Sequence, residues 1–201
     1  MIYIAENGQL AIHVPITAAR LGAYSTRTAH PEVVHLLQQT FSSLLQIPLQ
    51  IENPFLYRTK AEVIRTLCQS HSHILLNTVS CWKASRVTEA HHCGFCVPCI
   101  IRRIALEYWN AGRCTQWGRD LFSEKVADLP PEVEGKRNLT ELSEFYSYFW
   151  DDVSDANLWT RFPELVSLRF SLNDAIALYR RAAKEARTVF ARYPGLAEIL
   201  R

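Results

Sequence analysis

The chain has 201 residues, of which 48% are hydrophobic and 21% are charged, and its formal net charge is +2. This composition is typical of a globular protein with a buried core. The near-neutral charge gives no chain-wide support for binding to nucleic acid or to an anionic membrane surface. No apolar run reaches the length of a membrane span, and the N-terminus does not resemble a signal peptide. We therefore expect a cytoplasmic protein, one domain plus an appendage, with neither a nucleic-acid nor a membrane partner.

The first 53 residues predict a strand, a helix and a second strand. Ile2–Ala5 predicts a buried strand, and because no element precedes it to cover it, we expect the chain to begin in the middle of a fold. Pro31 suits the first position of a helix that extends to about Gln46. Its apolar residues form one stripe: Val33, Val34, Leu37, Phe41, Leu44 and Leu45. Leu49–Ile51 predicts the second strand, which gives a parallel βαβ unit.

Two polar stretches precede helix N-termini, where such units bind their ligands. In the first, Ser25–His30, free backbone N–H groups and Arg27 could bind a phosphate or carboxylate, and Arg27 and Thr28 are candidate ligands. An ordinary solvated helix cap explains this stretch equally well. In the second, Thr59 and Glu62 fit a capping box. Lys60 is a candidate anion-binding residue, since a cation in the first helical turn interacts unfavourably with the helix dipole unless an anion lies nearby.

Four of the six cysteines fall within nineteen residues, with Cys93, Cys96 and Cys99 spaced C-x2-C-x2-C and Cys81 twelve positions upstream. Thiolates at this spacing can converge on one ion, with Gly94 relaxing the turn, so the spacing predicts a closed structural zinc site. An iron–sulfur cluster is the main alternative, although Ile100 and Ile101 follow where ferredoxins have a further Cys-Pro. Unrelated buried thiols or disulfides are a third interpretation. The neighbours His91 and His92 could replace a thiolate.

Beyond the cysteines the pattern is helical. Apolar residues from Ile100 to Tyr108 repeat at helical spacing until Gly112. Pro130, Pro131 and Gly135 predict a linker, and Asn138 with Glu141 predicts the start of the next helix. A short helical segment is expected after Pro163, and a long one from Ser171 or Asn173 through Phe190. Cys68 and Cys114 lie outside the ligand pattern and are expected to be core or partly buried thiols.

These motifs together resemble the C-terminal half of the QueC family, the 7-cyano-7-deazaguanine synthases among the PP-loop ATP pyrophosphatases. The resemblance covers about residues 1–112 and is carried by Thr59–Glu62, by Ser80–Trp82 and by Cys93–Arg102. Within the family, the chain is similar to the longer QatC-like branch of phage-defence operons, and this similarity is carried by the stretches Glu6–Gly8 and Ser25–Glu32. It implies an α/β fold: a partial Rossmann-like (adenine nucleotide alpha hydrolase-like) parallel sheet in residues 1–118, a zinc lobe in 81–99 and an all-helical extension in 119–201.

The same resemblance implies a chemistry. Family members activate a carboxylate of a deazaguanine by adenylation with ATP and Mg²⁺, and ammonia then displaces AMP on the way to a nitrile. By resemblance, Cys81, Cys93, Cys96 and Cys99 hold a structural zinc ion, while Arg27, Thr28, Thr59 and Lys60 are candidates for contacting the nucleotide. No residue is assigned a catalytic role.

One departure from the family pattern affects the function. The ATP-binding signature Ser-Gly-Gly-x-Asp-Ser is absent, and the chain has no Gly-Gly pair. We therefore expect the PP-loop to come from an N-terminal segment or from a separate protein chain, and this chain alone to be inactive. Two other functions are considered: a non-catalytic, zinc-containing protein-interaction module derived from the family, and a zinc-dependent nucleic-acid binder, which the near-neutral charge disfavours.

Overall fold

A computed structural model describes residues 1–17, 29–86, 91–150 and 153–197. The structure is mostly helical, with one small parallel sheet. The chain forms two compact units, each assembled from segments distant in sequence: the first from Met1–Thr59 and Phe149–Arg181, the second from Lys60–Tyr148 and Ala182–Arg201. Residues 18–28, which contain Arg27 and Thr28, lie outside the described residues. The domain boundary that the sequence predicts at residue 118 stays a prediction.

The first unit contains the predicted βαβ arrangement. Strands β1 (Ile2–Tyr3) and β2 (Ile51–Glu52) pair in parallel, with Ile2 opposite Ile51. Between them lie α1 (Gly8–Ile12) and α2 (Pro31–Leu45), and α2 has the predicted proline in its first turn. Parallel pairing through a helical connection is thus confirmed, although β2 begins two residues later than the sequence predicts. The short helix α1 was not predicted; its signal is the capping residue Asn7, whose side chain accepts a hydrogen bond from Leu10 N.

The burial predicted for β1 is wrong, and the apolar stripe of α2 is mostly exposed. Ile2 and Tyr3 are exposed, and of the stripe only Val34 is buried, while Leu44 is 72% exposed. The physical reason is that the sheet has two strands in the described residues, too few to cover a helix of fifteen residues. The exposed apolar residues of β1 and α2 are called the open face below: Ile2, Tyr3, Leu36, Leu37, Phe41, Leu44 and Leu45.

The C-terminal segment completes the core of the first unit. Helix α7 (Asp155–Arg161) is followed by a 3-10 turn at Pro163–Leu165 and by α8 (Leu172–Phe190), whose last residues belong to the second unit. The buried Tyr179 hydroxyl donates to Gln9 O at 3.0 Å and accepts from Val14 N at 3.1 Å. The Tyr179 ring stacks on Phe149. Residues far apart in sequence therefore share one core.

The second unit is built around α5 (Val97–Tyr108), which is buried along most of its length. Helix α3 (Lys60–Ser70) packs against α5, and α4 (Ser72–Leu75) joins the same cluster. The unit also contains α6 (Glu134–Ser147), the end of α8 and α9 (Pro194–Ala197). Both helices predicted on either side of the cysteines, α3 and α5, are confirmed.

Two predictions about α6 are wrong. The helix begins at Glu134, four residues before the predicted cap at Asn138, and Val133 occupies the cap position. Asn138 lies inside the helix because its side-chain amide donates to the carbonyl of Phe95 at 2.8 Å. Gly135, predicted as part of a linker, lies in the first turn, where a Cβ atom would come within 3.1 Å of the Phe95 Cβ. These two residues are thus selected by close packing of α6 on the segment that contains Phe95.

Candidate metal centre

The four predicted cysteines come together at the N-terminal end of α5. Cys99 lies in the first turn of this helix, Cys96 is its cap residue, and Cys93 precedes the cap by three residues. Cys81 follows the segment after α4 and lies in the same buried cluster. The turn between Cys93 and Cys96 depends on Gly94, whose φ of 86° lies in the left-handed region. The local fold thus places three sulfurs within seven residues and brings the fourth from a separate loop.

The sulfur positions fit a single tetrahedral ion. All four Sγ atoms lie within 4.8 Å of one another, and all four residues are buried. The Cys93–Cys99 and Cys81–Cys96 sulfur pairs are each 3.9 Å apart. Four sulfurs at about 2.3 Å from a central ion would be about 3.8 Å apart, so these two distances match the edges of such a tetrahedron. A cluster of several iron atoms would hold its sulfur ligands further apart, so this spacing favours one ion. The centre could therefore hold a metal ion.

Backbone N–H groups surround the sulfurs. Lys83 N and Cys93 N donate to Cys81 Sγ at 3.2 and 3.4 Å, and Cys96 N donates to Cys93 Sγ at 3.3 Å. Hydrogen bonds to a charged acceptor favour its charged form. The peptide groups around the centre are therefore oriented to stabilise thiolates, which are the form of cysteine that binds metal.

The pKa values within the cluster differ strongly. Burial raises the pKa of Cys93 to about 11. The hydrogen bond shared with Cys96, together with burial, raises the pKa of Cys99. The pKa of Cys96 is lowered to about 5, chiefly because the Cys99 thiol donates a hydrogen bond to it. Of these three cysteines, Cys96 therefore loses its proton first as the pH rises, and a metal ion has to displace protons from Cys93 and Cys99 in order to bind their sulfurs.

His92 does not join the ligand set, and His91 is exposed. The buried His92 ring accepts a hydrogen bond from Ser80 N at Nε2, 3.2 Å away, and lies edge-on to Trp117. Burial, and to a smaller extent the charge of the nearby Arg102, lowers the pKa of His92 to about 4, so the ring is neutral. Among the described residues, only the four cysteines form a metal-ligand cluster. His92 instead positions the loop that leads to Cys81.

A second segment supports the turn at Cys93. Gly118 N donates to His92 O at 2.8 Å, and Arg119 N donates to Cys93 O at 3.1 Å. The segment therefore runs beside residues 92 and 93 as a short parallel bridge. A Cβ atom on Gly94 would overlap the carbonyl oxygen of Arg119, so this position admits only glycine without a shift of the segment. No periodic pattern indicates this support, since residues 117–119 belong to no helix or strand.

The candidate nucleotide residues lie elsewhere. Arg27 and Thr28 are outside the described residues. Thr59 is buried immediately before α3, and Lys60 is the half-buried first residue of that helix. Within the second unit, α3 packs on the helix that contains Cys99. The residues from Lys60 onward are thus fixed to the same core as the metal centre.

The first unit contains a cavity that sequence reasoning missed. Its volume is about 230 Å³, and it lies beside the first turns of α2 and the end of β2. Its polar lining includes His35, Gln38, Asn53 and Arg169. Arg169 also pairs with Glu32 at 3.3 Å. A sequence reading could expect a ligand at the end of a parallel strand, but it could not predict that Arg169 returns to this place.

The described part of the chain is thus a largely helical protein with a small parallel sheet and a four-cysteine centre that could hold a metal ion. A family model with the description "Queuosine biosynthesis protein QueC" matches residues 1–110. Because this match covers more than half of the 201 residues, the chain belongs to the QueC family. It includes all four cysteines and ends before the segment 111–201. No curated protein and no solved structure matches the chain.

None of the helices in the described ranges has both the length and the apolar character that a membrane crossing requires.

Proposed function

We propose that this chain is the C-terminal part of a QueC-like, ATP-dependent carbon–nitrogen ligase. The observation that carries the proposal is the family match over residues 1–110. In the proposed reaction the 7-carboxylate of a deazaguanine attacks the α-phosphate of ATP, and pyrophosphate leaves. Ammonia then attacks the acyl carbon and AMP leaves, which gives the amide. A second ATP activates the amide oxygen in the same way, and loss of AMP and a proton gives the nitrile.

Phosphoryl chemistry of this kind depends mainly on positioning and on neutralising phosphate charge. We assign these roles to Arg27, Thr28, Thr59 and Lys60, with Mg²⁺ accompanying the ATP. Support comes from the position of Thr59 and Lys60 at the N-terminal end of α3, since such a helix end favours anions. The four residues are binding residues in this proposal, and no catalytic residue is assigned.

We assign the cavity in the first unit to the substrate side of the same enzyme. Ligands of open parallel sheets bind outside the carboxyl ends of the strands, and the cavity is lined by Asn53, which follows the last residue of β2. Its side chains combine apolar walls with amide and cationic groups, which suits a flat polar heterocycle. A free deazaguanine and a deazaguanine attached to a protein share this chemistry.

For the metal centre we propose structural zinc. Four buried thiolates in a closed tetrahedral set leave no open coordination position for substrate, and this is typical of structural rather than catalytic zinc. The reducing cytoplasm is the compartment that keeps such cysteines as thiols, and we propose it as the location of the protein. No disulfide joins any of the six cysteines.

The PP-loop has to come from another polypeptide segment, because none of the 201 residues forms the Ser-Gly-Gly-x-Asp-Ser signature. We propose that this segment, adjoining or on a separate chain, packs on the open face. The exposed apolar residues of β1 and α2 support this, since large exposed apolar surfaces mark interaction sites. A role in phage defence, as in the QatC-like branch, is part of the proposal and rests on the sequence resemblance alone.

The test begins with the DNA upstream of codon 1, translated in all frames. A Ser-Gly-Gly-x-Asp-Ser segment found there is co-expressed with this chain, and exchange of labelled pyrophosphate into ATP is measured with the 7-carboxylate of a deazaguanine. We expect substrate-dependent exchange in the assembled protein, with Lys60→Ala at least about tenfold slower. Arg65→Ala, which removes an exposed cation from the same helix, is the control.

Two results would overturn parts of this proposal. If Lys60→Ala stays within about twofold of the unmutated protein, Lys60 has no role in binding the nucleotide. If no upstream segment restores exchange, the catalytic assignment is wrong for this chain. The alternative is then a non-catalytic interaction module, which the open face would also suit.

A further inference from the structure

Arg102 is a charged residue in the interior of the second unit. It lies on α5 three residues after Cys99, and it is only 2% exposed. Residues three apart on a helix share one face, so Arg102 and the metal ligand Cys99 are neighbouring residues on α5. A charged side chain is almost never fully buried unless a compensating charge lies close to it.

The hydrogen bonds of Arg102 are numerous, but they all go to neutral groups. Nη1 donates to Thr78 Oγ1 at 2.8 Å, and Nη2 donates to the carbonyl of Leu75, also at 2.8 Å. Both Nη2 and Nε donate to Thr115 Oγ1, at 3.1 and 3.3 Å. In the described ranges no carboxylate pairs with this guanidinium. These bonds solvate the charge without neutralising it.

The groups that oppose the cost of this buried charge are thiols. Burial lowers the pKa of Arg102, and Cys99, Cys68 and Cys114 act in the opposite direction. Cys99 is the first of these three in size. The other cations near the centre are differently placed: Lys83 pairs with Glu134, and His92 is neutral. Arg102 is thus a buried cation, and among the groups that favour its charged form the metal ligand Cys99 has the largest effect.

The charge of the occupied centre favours such a partner. A divalent ion with four thiolates carries a net charge of two minus, and a buried net charge is costly. The three backbone N–H groups that donate to Cys81 and Cys93 are dipoles and bring no net charge. One fixed guanidinium halves the net charge of the buried group and, through Leu75 and Thr78, ties it to the loop that leads to Cys81.

We propose that Arg102 is the counter-ion of the four-cysteine metal centre. It is a positioning residue in this role: its charge stabilises the four thiolates together, and its hydrogen bonds hold the Leu75–Ser80 segment beside them. The inference rests on the metal centre of the proposed function, and it adds a residue outside the ligand set. It does not require catalytic activity.

The test compares variants of the full chain in their metal affinity and in an electrochemical signal. Arg102→Gln removes the charge, and Arg102→Lys keeps the charge with fewer donors. Arg113→Gln removes an exposed arginine as a matched control, and Thr115→Val removes only a hydrogen-bond acceptor. Zinc affinity is measured against a competing chelator at one pH. The chain is also loaded with iron, and the potential of the bound iron is measured, because reduction adds a negative charge beside Arg102.

We expect Arg102→Gln to weaken zinc binding at least about tenfold and to shift the iron potential to more negative values. Arg102→Lys, Arg113→Gln and Thr115→Val should leave the potential near that of the unmutated protein. An Arg102→Gln potential equal to that of Arg113→Gln overturns the inference, because a merely structural side chain would not alter the potential.

Two further outcomes are decisive. If Arg102→Gln does not fold, Arg102→Lys decides: a folded, metal-binding lysine variant supports the charge role, and an equally unfolded one shows that the hydrogen bonds are what matter. If the unmutated chain binds neither zinc nor iron, both the metal centre of the proposed function and the role of Arg102 are wrong. If metal binds but the potential does not respond, only the role of Arg102 is wrong.

Discussion

Replacing Gly94 with alanine tests the metal centre most directly. Gly94 lies between two ligands of the cluster and has a φ of 86°. An L-residue in the left-handed region costs about 1–2 kcal/mol. The added Cβ would also overlap the Arg119 carbonyl oxygen, so the segment 117–119 has to move. That movement endangers the hydrogen bonds from Gly118 N and Arg119 N to residues 92 and 93.

The expected loss follows from these contributions. Two backbone hydrogen bonds contribute about 0.5–1.5 kcal/mol each, and together with the backbone strain the free energy of unfolding should fall by about 2–5 kcal/mol. Zinc binding should weaken in parallel, since the turn fixes Cys93 and Cys96. The assay is urea denaturation of the zinc-loaded protein, with zinc content measured after gel filtration.

Gly118→Ala is the matched control, because it adds the same methyl group beside the same cysteine. There a Cβ atom would lie 3.5 Å from the nearest atom, His92 O, at ordinary contact distance. We expect Gly118→Ala to stay within about 1 kcal/mol of the unmutated protein. If Gly94→Ala is as stable as Gly118→Ala, the geometry described for the turn between Cys93 and Cys96 is wrong.

Three other predictions concern the core and the metal. Chelation of the metal should lower the melting temperature sharply, and Cys81→Ser should reproduce this loss. Cys68→Ser, outside the cluster, should not, and a chelated sample with an unchanged melting temperature would refute a structural metal. Asn138→Ala should lower the free energy of unfolding in urea by about 1–2 kcal/mol through loss of the hydrogen bond to Phe95 O. Thr140→Ala, at an exposed position, should change it little, and equal effects would contradict the role of this hydrogen bond. Tyr179→Phe should lower the free energy of unfolding by about 1–3 kcal/mol, because Gln9 O and Val14 N lose a buried hydrogen-bond partner. Tyr148→Phe, whose hydroxyl bonds to the exposed Glu144, should change it little, and similar losses for both variants would refute the role of the Tyr179 hydroxyl.

The cluster of four cysteines could be predicted from the sequence because its information is local. The spacing of Cys93, Cys96 and Cys99 fixes three sulfurs in one turn, and Gly94 indicates the backbone conformation that the turn needs. The helices that flank the centre were also predictable, since α3 and α5 show clear apolar periodicity. Arg102 belongs to the Cys93–Arg102 motif that the chain shares with the family. Its burial among neutral acceptors could not be predicted, because it depends on Thr78 and Thr115, which no periodic pattern connects to Arg102.

The helix α2 shows where periodicity stops being informative. Its apolar stripe predicts that one face is covered, but the pattern does not say by what, and in the described residues that face is open. Periodicity reports the environment for which a sequence is suited, whereas burial depends on the surfaces that are present. In the proposed function, a second polypeptide segment covers this stripe.

The C-terminal segment shows the second limit. Residues 149–181 belong to the same compact unit as residues 1–59, and Tyr179 bonds to a residue 170 positions away. Contacts over such separations carry a loop-closure cost that only the assembled core offsets, so local patterns contain no trace of them. Because Arg169 lies beside the cavity at the end of β2, the segment outside the family match contributes to a site inside it. If this cavity binds the substrate, as in the proposed function, the extension supplies part of the pocket, and the substrate specificity of this chain would differ from that of a chain lacking the segment.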